Sequence, residues 1–175
     1  AIDFLDLIYT YAELGDLVHR AAKGLQALGV AKGTRVGLML PNCPAYVVFF
    51  WGTLAAGGTV VNISPLYAPD ELATQIDDSE TDILITLDLD LLFSKAEKML
   101  ARTRLKTLIV APLSEQLPTL KGFLFRLFKR GAIAKIPVHS SIVRWHDVLK
   151  NDGRYTRADH ALEDVALLQY TGGTT

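Results

Sequence analysis

The residue types best suited to chemistry lie at 170–175. An apolar run over 165–170 leads directly into Thr171, Gly172, Gly173, Thr174 and Thr175, with Tyr170 at the junction. Glycine lets a backbone approach an anion with no Cβ in the way. Successive N–H groups of such a loop can converge on a phosphate. Threonine hydroxyls add donors to phosphate oxygens, or one ligand to a magnesium ion bridging them. The run is not a Walker A loop, and no G-x-G-x-x-G occurs in the chain. On residue chemistry alone, the same residues also make an ordinary strand-end turn, and both readings stay open.

A second candidate spans 117–130, LPTLKGFLFRLFKR. Placed on a helix, Leu120, Phe123, Leu124, Leu127 and Phe128 fall on one broad face, with Phe125 at its edge. Arg126, Lys129 and Arg130 share the other face, and Lys121 sits at a margin. Aromatics and cations so arranged can lie in a membrane interface, rings inserted and charges on anionic head groups. Phe123, Phe125, Arg126, Phe128, Lys129 and Arg130 are the contact residues on that reading. The alternative is an amphipathic helix packed on the protein, its cations solvated. Gly122 and Gly131 weaken the helix on either reading.

Other reactive side chains assemble into no site. His19, His139, His146 and His160 lack paired metal-ligand spacing. Asp77, Asp78, Glu80 and Asp82 read as a solvated turn near a helix end. Cys43, before Pro44, reads as a small buried residue and not a nucleophile, and Trp51 reads as core.

The elements that must position these residues alternate. Thr10 and Glu13 have capping-box spacing, and Leu14, Leu17, Val18, Ala21, Leu25 and Leu28 follow at helical period before Gly29 stops the helix. Strands are expected at 35–40, 59–63, 82–86, 106–110 and 165–170. Helices are expected from Pro44 to near Gly57, from Pro69 onward, over 88–100, and as a short piece at 142–149. The strands carry no polar alternation, as when both faces are buried. The prediction is an α/β fold: a mostly parallel sheet with helices on both faces. The apolar stretch 45–61 approaches the ~17–25 residues of a membrane span. Gly57 and Gly58 break it, so a buried helix followed by a buried strand is expected instead.

Composition fits that class. The 175 residues are 50% hydrophobic and 21% charged, enough apolar material for a packed core. Lys plus Arg total 18 against 19 Asp plus Glu, a net charge of −1, which argues against nucleic acid as a partner. One cysteine excludes an internal disulfide framework and suits a cytoplasmic setting. The absence of an initial Met, and the close inside a Gly/Thr run, suggest a piece of a larger protein cut at both ends. Oligomeric state is left open, a homodimer included.

Tyr170-Thr171-Gly172-Gly173-Thr174-Thr175 resembles the opening of the signature Y-T-[SG]-G-T-T-G-x-x-K-G of the adenylate-forming enzymes. Glycine at 172 resembles the long-chain fatty acid–CoA ligase branch. So do Arg35-Val36 through Leu40-Pro41-Asn42, the stretch GTLAAGGTVVNISP at 52–65, and LYAPDEL at 66–72. Two departures are Ser64, where the branch usually has Asn, and Ala68, where it usually has Thr. The resemblance covers nearly the whole chain and is weakest over 111–160. It implies part of the large N-terminal domain of an acyl-CoA synthetase, with ATP, magnesium and coenzyme A as cofactor and co-substrates and a fatty acid as substrate. It further implies an acyl-adenylate, then attack by the coenzyme A thiol. Tyr170, Thr171, Gly172, Gly173, Thr174 and Thr175 would bind ATP, Thr171 on the magnesium side. The rest of the motif lies beyond residue 175, so this piece alone is expected to be inactive. Together with the single cysteine and the basic, aromatic stretch 117–130, the expectation is a cytoplasmic protein with peripheral contact on the inner face of the cell membrane. The rivals are a ligase for another carboxylic acid and a non-catalytic lipid- or membrane-binding module.

Overall fold

The structure, a computed structural model, describes residues 2–170. It opens with an element the sequence did not announce. Leu5 and Asp6 take positive φ (52° and 75°) and turn β1 (Ile2–Phe4) back on β2 (Leu7–Tyr9) as an antiparallel hairpin. Helix α1 (Tyr11–Ala27) then starts on the expected capping box. Glu13 N donates to Thr10 Oγ1 at 3.2 Å, and Thr10 N donates to Glu13 Oε2 at 2.8 Å. Gly29, at φ 92°, reverses the chain just past the helix end.

The remaining strands are β3 (Arg35–Leu38), β4 (Thr59–Asn62), β5 (Ile83–Leu87), β6 (Thr107–Ala111), β7 (Ile142–Arg144) and β8 (Leu167–Gln169). They form one six-stranded sheet, order β7-β6-β5-β3-β4-β8, with every pairing parallel. Between them run α2 (Pro44–Ala56), α3 (Pro69–Asp78), α4 (Asp90–Arg102), α5 (Thr119–Phe128) and α6 (Trp145–Leu149). All five residues of β5 are buried, so both faces of the sheet are covered there. Helix α1 packs on α2 and α6, and α3 packs on α4. The core gathers Leu25, Val36, Leu38, Phe49, Leu84, Ile85, Leu108 and Ile109 between these layers. The α/β architecture expected from the strand composition is therefore the observed one.

Three expectations change. Residues 142–149 are not one helix. Ile142 and Val143 extend as β7 against Leu108 and Ile109, and only then does α6 begin. The open edge of β6 outweighs the weak helical period. The strand expected over 165–170 is three residues long. Trp51 is 55% exposed, on the outer side of α2, with Phe50 edge-on to it at 5.4 Å. The apolar stretch 45–61 is split as expected, Gly57 (φ 99°) ending α2 before β4 starts. Among the described residues, no helix is long and apolar enough to cross a membrane.

Candidate functional site

In open α/β sheets, ligands sit outside the carboxyl ends of the strands. Here the carboxyl ends of β3, β4 and β8 border a cleft of about 250 Å³ lined by Leu40, Asn42, Tyr46, Asn62, Tyr67 and Tyr170, among others. Strand β8 arrives parallel to β4, with Leu167 opposite Val60 and Gln169 opposite Asn62. Asn62 is the hub. Its amide nitrogen donates to Gln169 Oε1 at 2.7 Å, and its side-chain oxygen accepts from the Tyr46 hydroxyl at 2.9 Å. Its backbone carbonyl accepts from Gln75 Nε2 at 2.9 Å. One asparagine thus joins two strands and two helices at the rim of the cleft.

Tyr170 lines that cleft and is the final described residue. Its hydroxyl donates to Asp78 Oδ2 at the end of α3. Desolvation and the Asp78 carboxylate push the phenol up to about 12, so it stays a neutral donor at physiological pH. Thr171, Gly172, Gly173, Thr174 and Thr175 lie outside the described residues.

The loop bordering the cleft is pinned from behind. Lys95 of α4 donates to the carbonyls of Pro65 and Tyr67 at 2.5 and 3.1 Å. The N-terminus of α2 also opens toward this edge of the sheet, but it is already capped. Gln116 Oε1 accepts from Ala45 N at 2.9 Å. Cys43, at the helix cap, is buried, and burial pushes its thiol up, as suits a structural residue.

The acidic cluster is not simply solvated, as the sequence suggested. Arg35 pairs with Glu80 at 2.8 Å, Lys106 with Asp82 at 2.8 Å, and Arg104 N donates to Asp77 Oδ1 at 3.0 Å. His146 meets Glu115 at 2.8 Å. No group of three or more His, Cys, Asp or Glu among the described residues could hold a metal ion.

The second candidate is a helix as expected, but it docks by an unexpected side. Gly122 is its buried residue, and Arg126 reaches inward to Ser114 Oγ at 2.8 Å and Glu115 at 3.1 Å. Lys121 is tied to Asp6 and the Leu5 carbonyl of the hairpin turn. Phe125 is half-buried, whereas Leu120, Phe123, Leu124, Leu127, Phe128, Lys129 and Arg130 are exposed. So Arg126 does not share its surroundings with Lys129 and Arg130.

Sequence reasoning did not single out Asn62, Tyr46, Gln169 or Asp78 as a group. The one available signal was Asn62, a polar residue interrupting an otherwise apolar strand. A polar group placed there needs partners.

The fold and cleft define a class: an open parallel α/β domain with a polar-rimmed site at the strand carboxyl ends. The sequence pattern described as "AMP-binding enzyme" matches residues 1–175, and the chain belongs to that family. It is 35% identical over 182 residues to a protein named long-chain-fatty-acid--CoA ligase from Bacillus subtilis (strain 168), covering all of this chain and 32% of that one. A protein of the same name from Escherichia coli O157:H7 is 36% identical over 154 residues, 86% of this chain and 27% of its own length. This chain therefore spans about a third of those relatives. Among solved structures, a long-chain-fatty-acid-CoA ligase (FadD1) from Archaeoglobus fulgidus superposes with a TM-score of 0.71 at 24% identity, over 95% of this chain and 28% of that one. The anthranilate CoA ligase AuaEII in complex with anthranoyl-AMP gives 0.73 at 20%, over 97% and 28%. At such identities the superpositions establish the shared fold.

Proposed function

We propose that residues 1–175 form part of the N-terminal domain of an ATP-dependent long-chain fatty acid–CoA ligase. The observation that carries this reading is the 35% identity across the entire chain to a relative of that name. In the proposed reaction, a fatty acid carboxylate attacks the α-phosphorus of ATP and releases pyrophosphate. The thiol of coenzyme A then attacks the acyl carbon and releases AMP. Both substrates of the first step are anions, so the protein must supply donors where charge gathers on the leaving pyrophosphate.

On this reading Tyr170 delivers the chain to the cleft rim, and Thr171, Gly172, Gly173, Thr174 and Thr175 wrap the β- and γ-phosphates. Support comes from the docking of β8 on β4 and from the Tyr170–Asp78 and Asn62–Gln169 bonds, which fix the direction in which the chain leaves the sheet. The donor set at 171–175 is hydroxyls and backbone amides, which suits phosphate oxygens. A hydroxyl fits magnesium only as a supplement to phosphate, and Thr171 is the residue that would hold it. When bound, the metal supplies positive charge to the phosphates. ATP and coenzyme A as co-substrates suit a cytoplasmic setting.

The test uses the full-length protein and measures ATP–pyrophosphate exchange. Exchange should depend on a long-chain fatty acid, and Thr171→Ala should lower it at least about tenfold, the scale of one lost hydrogen bond to a charged group. Exchange supported only by aromatic acids would refute the long-chain assignment. Exchange indifferent to Thr171→Ala would refute the site.

A further inference from the structure

We propose that Asn62 is a positioning residue for triphosphate binding: acting through Gln169, it fixes the peptide unit from which residues 171–175 begin. The inference rests on the ligase reading and adds to it a residue that works through another side chain.

Three side chains join in one direction. The Tyr46 hydroxyl, on α2, donates to Asn62 Oδ1 at 2.9 Å. Asn62 Nδ2, on β4, donates to Gln169 Oε1 at 2.7 Å. Gln169 Nε2, on β8, donates to the Tyr170 carbonyl at 3.2 Å. A carboxamide can be turned end for end, so its orientation is decided by its neighbours. The Tyr170 carbonyl decides here, because it can only accept. It demands the nitrogen end of Gln169. Gln169 then offers its oxygen to Asn62, which must answer with nitrogen, and the Asn62 oxygen is left for the hydroxyl. Reversing either amide would set like atoms face to face. The two amides therefore share one polarity, and each bond holds the next.

Asn62 is the member of this line with a fixed base. Its backbone carbonyl accepts from Gln75 Nε2 at 2.9 Å, and Gln75 is only 4% exposed. Its strand is paired on both sides, with β3 and with β8. Gln169, by contrast, is exposed and ends a strand of three residues. Without Asn62 its long side chain would spread over several rotamers. Tyr170 is tied at its far end too, the hydroxyl donating to Asp78. A peptide unit is planar and trans, so holding its carbonyl sets where the following N–H is aimed. That N–H is the first of the backbone donors proposed for the β- and γ-phosphates. Donors ordered in advance leave less ordering to be done on binding. The effect is selective: AMP has no β- or γ-phosphate, so its affinity should not depend on Asn62.

The experiment titrates ATP and AMP separately into the full-length protein, without fatty acid. Asn62→Leu and Gln169→Met remove the same bond from its two ends and add no charge. Each should weaken ATP about tenfold, near the upper scale for one neutral hydrogen bond, and leave AMP within about twofold. The double variant should bind ATP no more weakly than either single variant, since both break one line. Tyr46→Phe, which removes only the first link, should weaken ATP less, by about threefold. Gln169 is exposed, so Gln169→Met should melt with the parent and carries the test if Asn62→Leu does not fold. Additive losses in the double variant would mean that Asn62 meets the nucleotide directly. Equal losses of ATP and AMP would mean general disorder of the cleft, and no loss in either single variant would mean that the line is idle. Each of these results overturns the proposal. ATP–pyrophosphate exchange by the parent separates the two readings. If the parent shows none, the ligase reading fails and the proposal with it; normal exchange with indifferent variants removes the proposal alone.

Discussion

Ala68 leaves a capping box half built. Glu71 accepts from Ala68 N at 2.8 Å, but alanine has no side-chain oxygen to return a bond to the first turn of α3. The backbone is already extended, at φ −64° and ψ 156°, as an N-cap requires. Ala68→Thr should therefore raise stability by about 0.5–1 kcal/mol in urea unfolding. A loss would mean that threonine collides with the loop held by Lys95. Asp88 offers a pH test. Burial pushes its carboxyl up, against the pull of the Leu113 N–H, which it accepts at 2.8 Å, and of Arg126. A raised carboxyl favours folding in its protonated form, so this stabilisation is present below the ordinary value of 3.8 and lost as pH rises through the folded-state value. Asp88→Asn keeps an acceptor for Leu113 and discards the charge. The variant should be more stable than the parent at neutral pH, the gap closing in acid. Asp82 runs the other way: burial pushes it up, but Lys106 and Arg104 outweigh that and hold it below 3.8. Its contribution is present above that value and lost as pH falls through the lowered one, so only a comparison of variant with parent isolates Asp88.

Helix α5 shows how one glycine can decide what an element does. Gly122→Ala would drive a methyl group into the Ser114 carbonyl, with no flexible side chain available to yield. The helix would have to lift from the turn at Leu113–Gln116, taking Arg126 off Ser114. The expected loss is about 1–3 kcal/mol, larger than the propensity gain of about 0.5–1 kcal/mol. Gly131→Ala, with nothing within 4 Å of the added atom, should be neutral in the same denaturation assay. This helix also marks a limit of reading from sequence. Periodicity separates the apolar side of 119–128 from the rest, but it cannot say which side meets the protein. The close approach of two backbones at Gly122 decided that, and it is long-range information. Elsewhere local signals sufficed. The Thr10–Glu13 box, Pro44, Pro69 and Gly57 fixed helix ends because each acts on its own neighbours. The hairpin of β1 and β2 was invisible because its turn uses Leu5 and Asp6 at positive φ, not the glycine or asparagine that advertises such a turn.

At the scale of the whole molecule, the site depends on a strap that the sequence hides. Residues 151–156 run along α1, where Arg20, Lys23 and Gln26 recur at helical spacing and hold them. Asn151 Nδ2 donates to the Arg20 carbonyl at 3.0 Å, and Lys23 meets Asp152 at 2.5 Å. Gln26 binds both backbone atoms of Thr156: it donates to the carbonyl at 2.7 Å and accepts from the N–H at 3.0 Å. The strap then carries the chain to the sheet edge. There Thr59 Oγ1 donates to the Val165 carbonyl at 2.9 Å and Val60 N to the Ala166 carbonyl at 3.0 Å, and β8 follows. These partners are more than a hundred residues apart, and all but the Val60–Ala166 backbone pair rest on a single polar side chain, so no local pattern reveals them. The glycines and threonines at 171–175 were legible as a motif for the opposite reason: they are adjacent. With only three residues in β8, the position of Tyr170 at the cleft rests heavily on this tether. Gln26→Ala removes two bonds from the strap and one longer bond, at 3.3 Å, to the Ala56 carbonyl at the end of α2, and empties no core volume, since Gln26 itself is only partly buried. Opening should then become cheaper by about 1–3 kcal/mol in that segment alone. Backbone amides over 156–169 should exchange at least about tenfold faster, while those of β3, β5 and β6 keep their protection. Uniform acceleration throughout the sheet would show that the strap is part of the global folding unit, and no change would show that β8 holds its place without it.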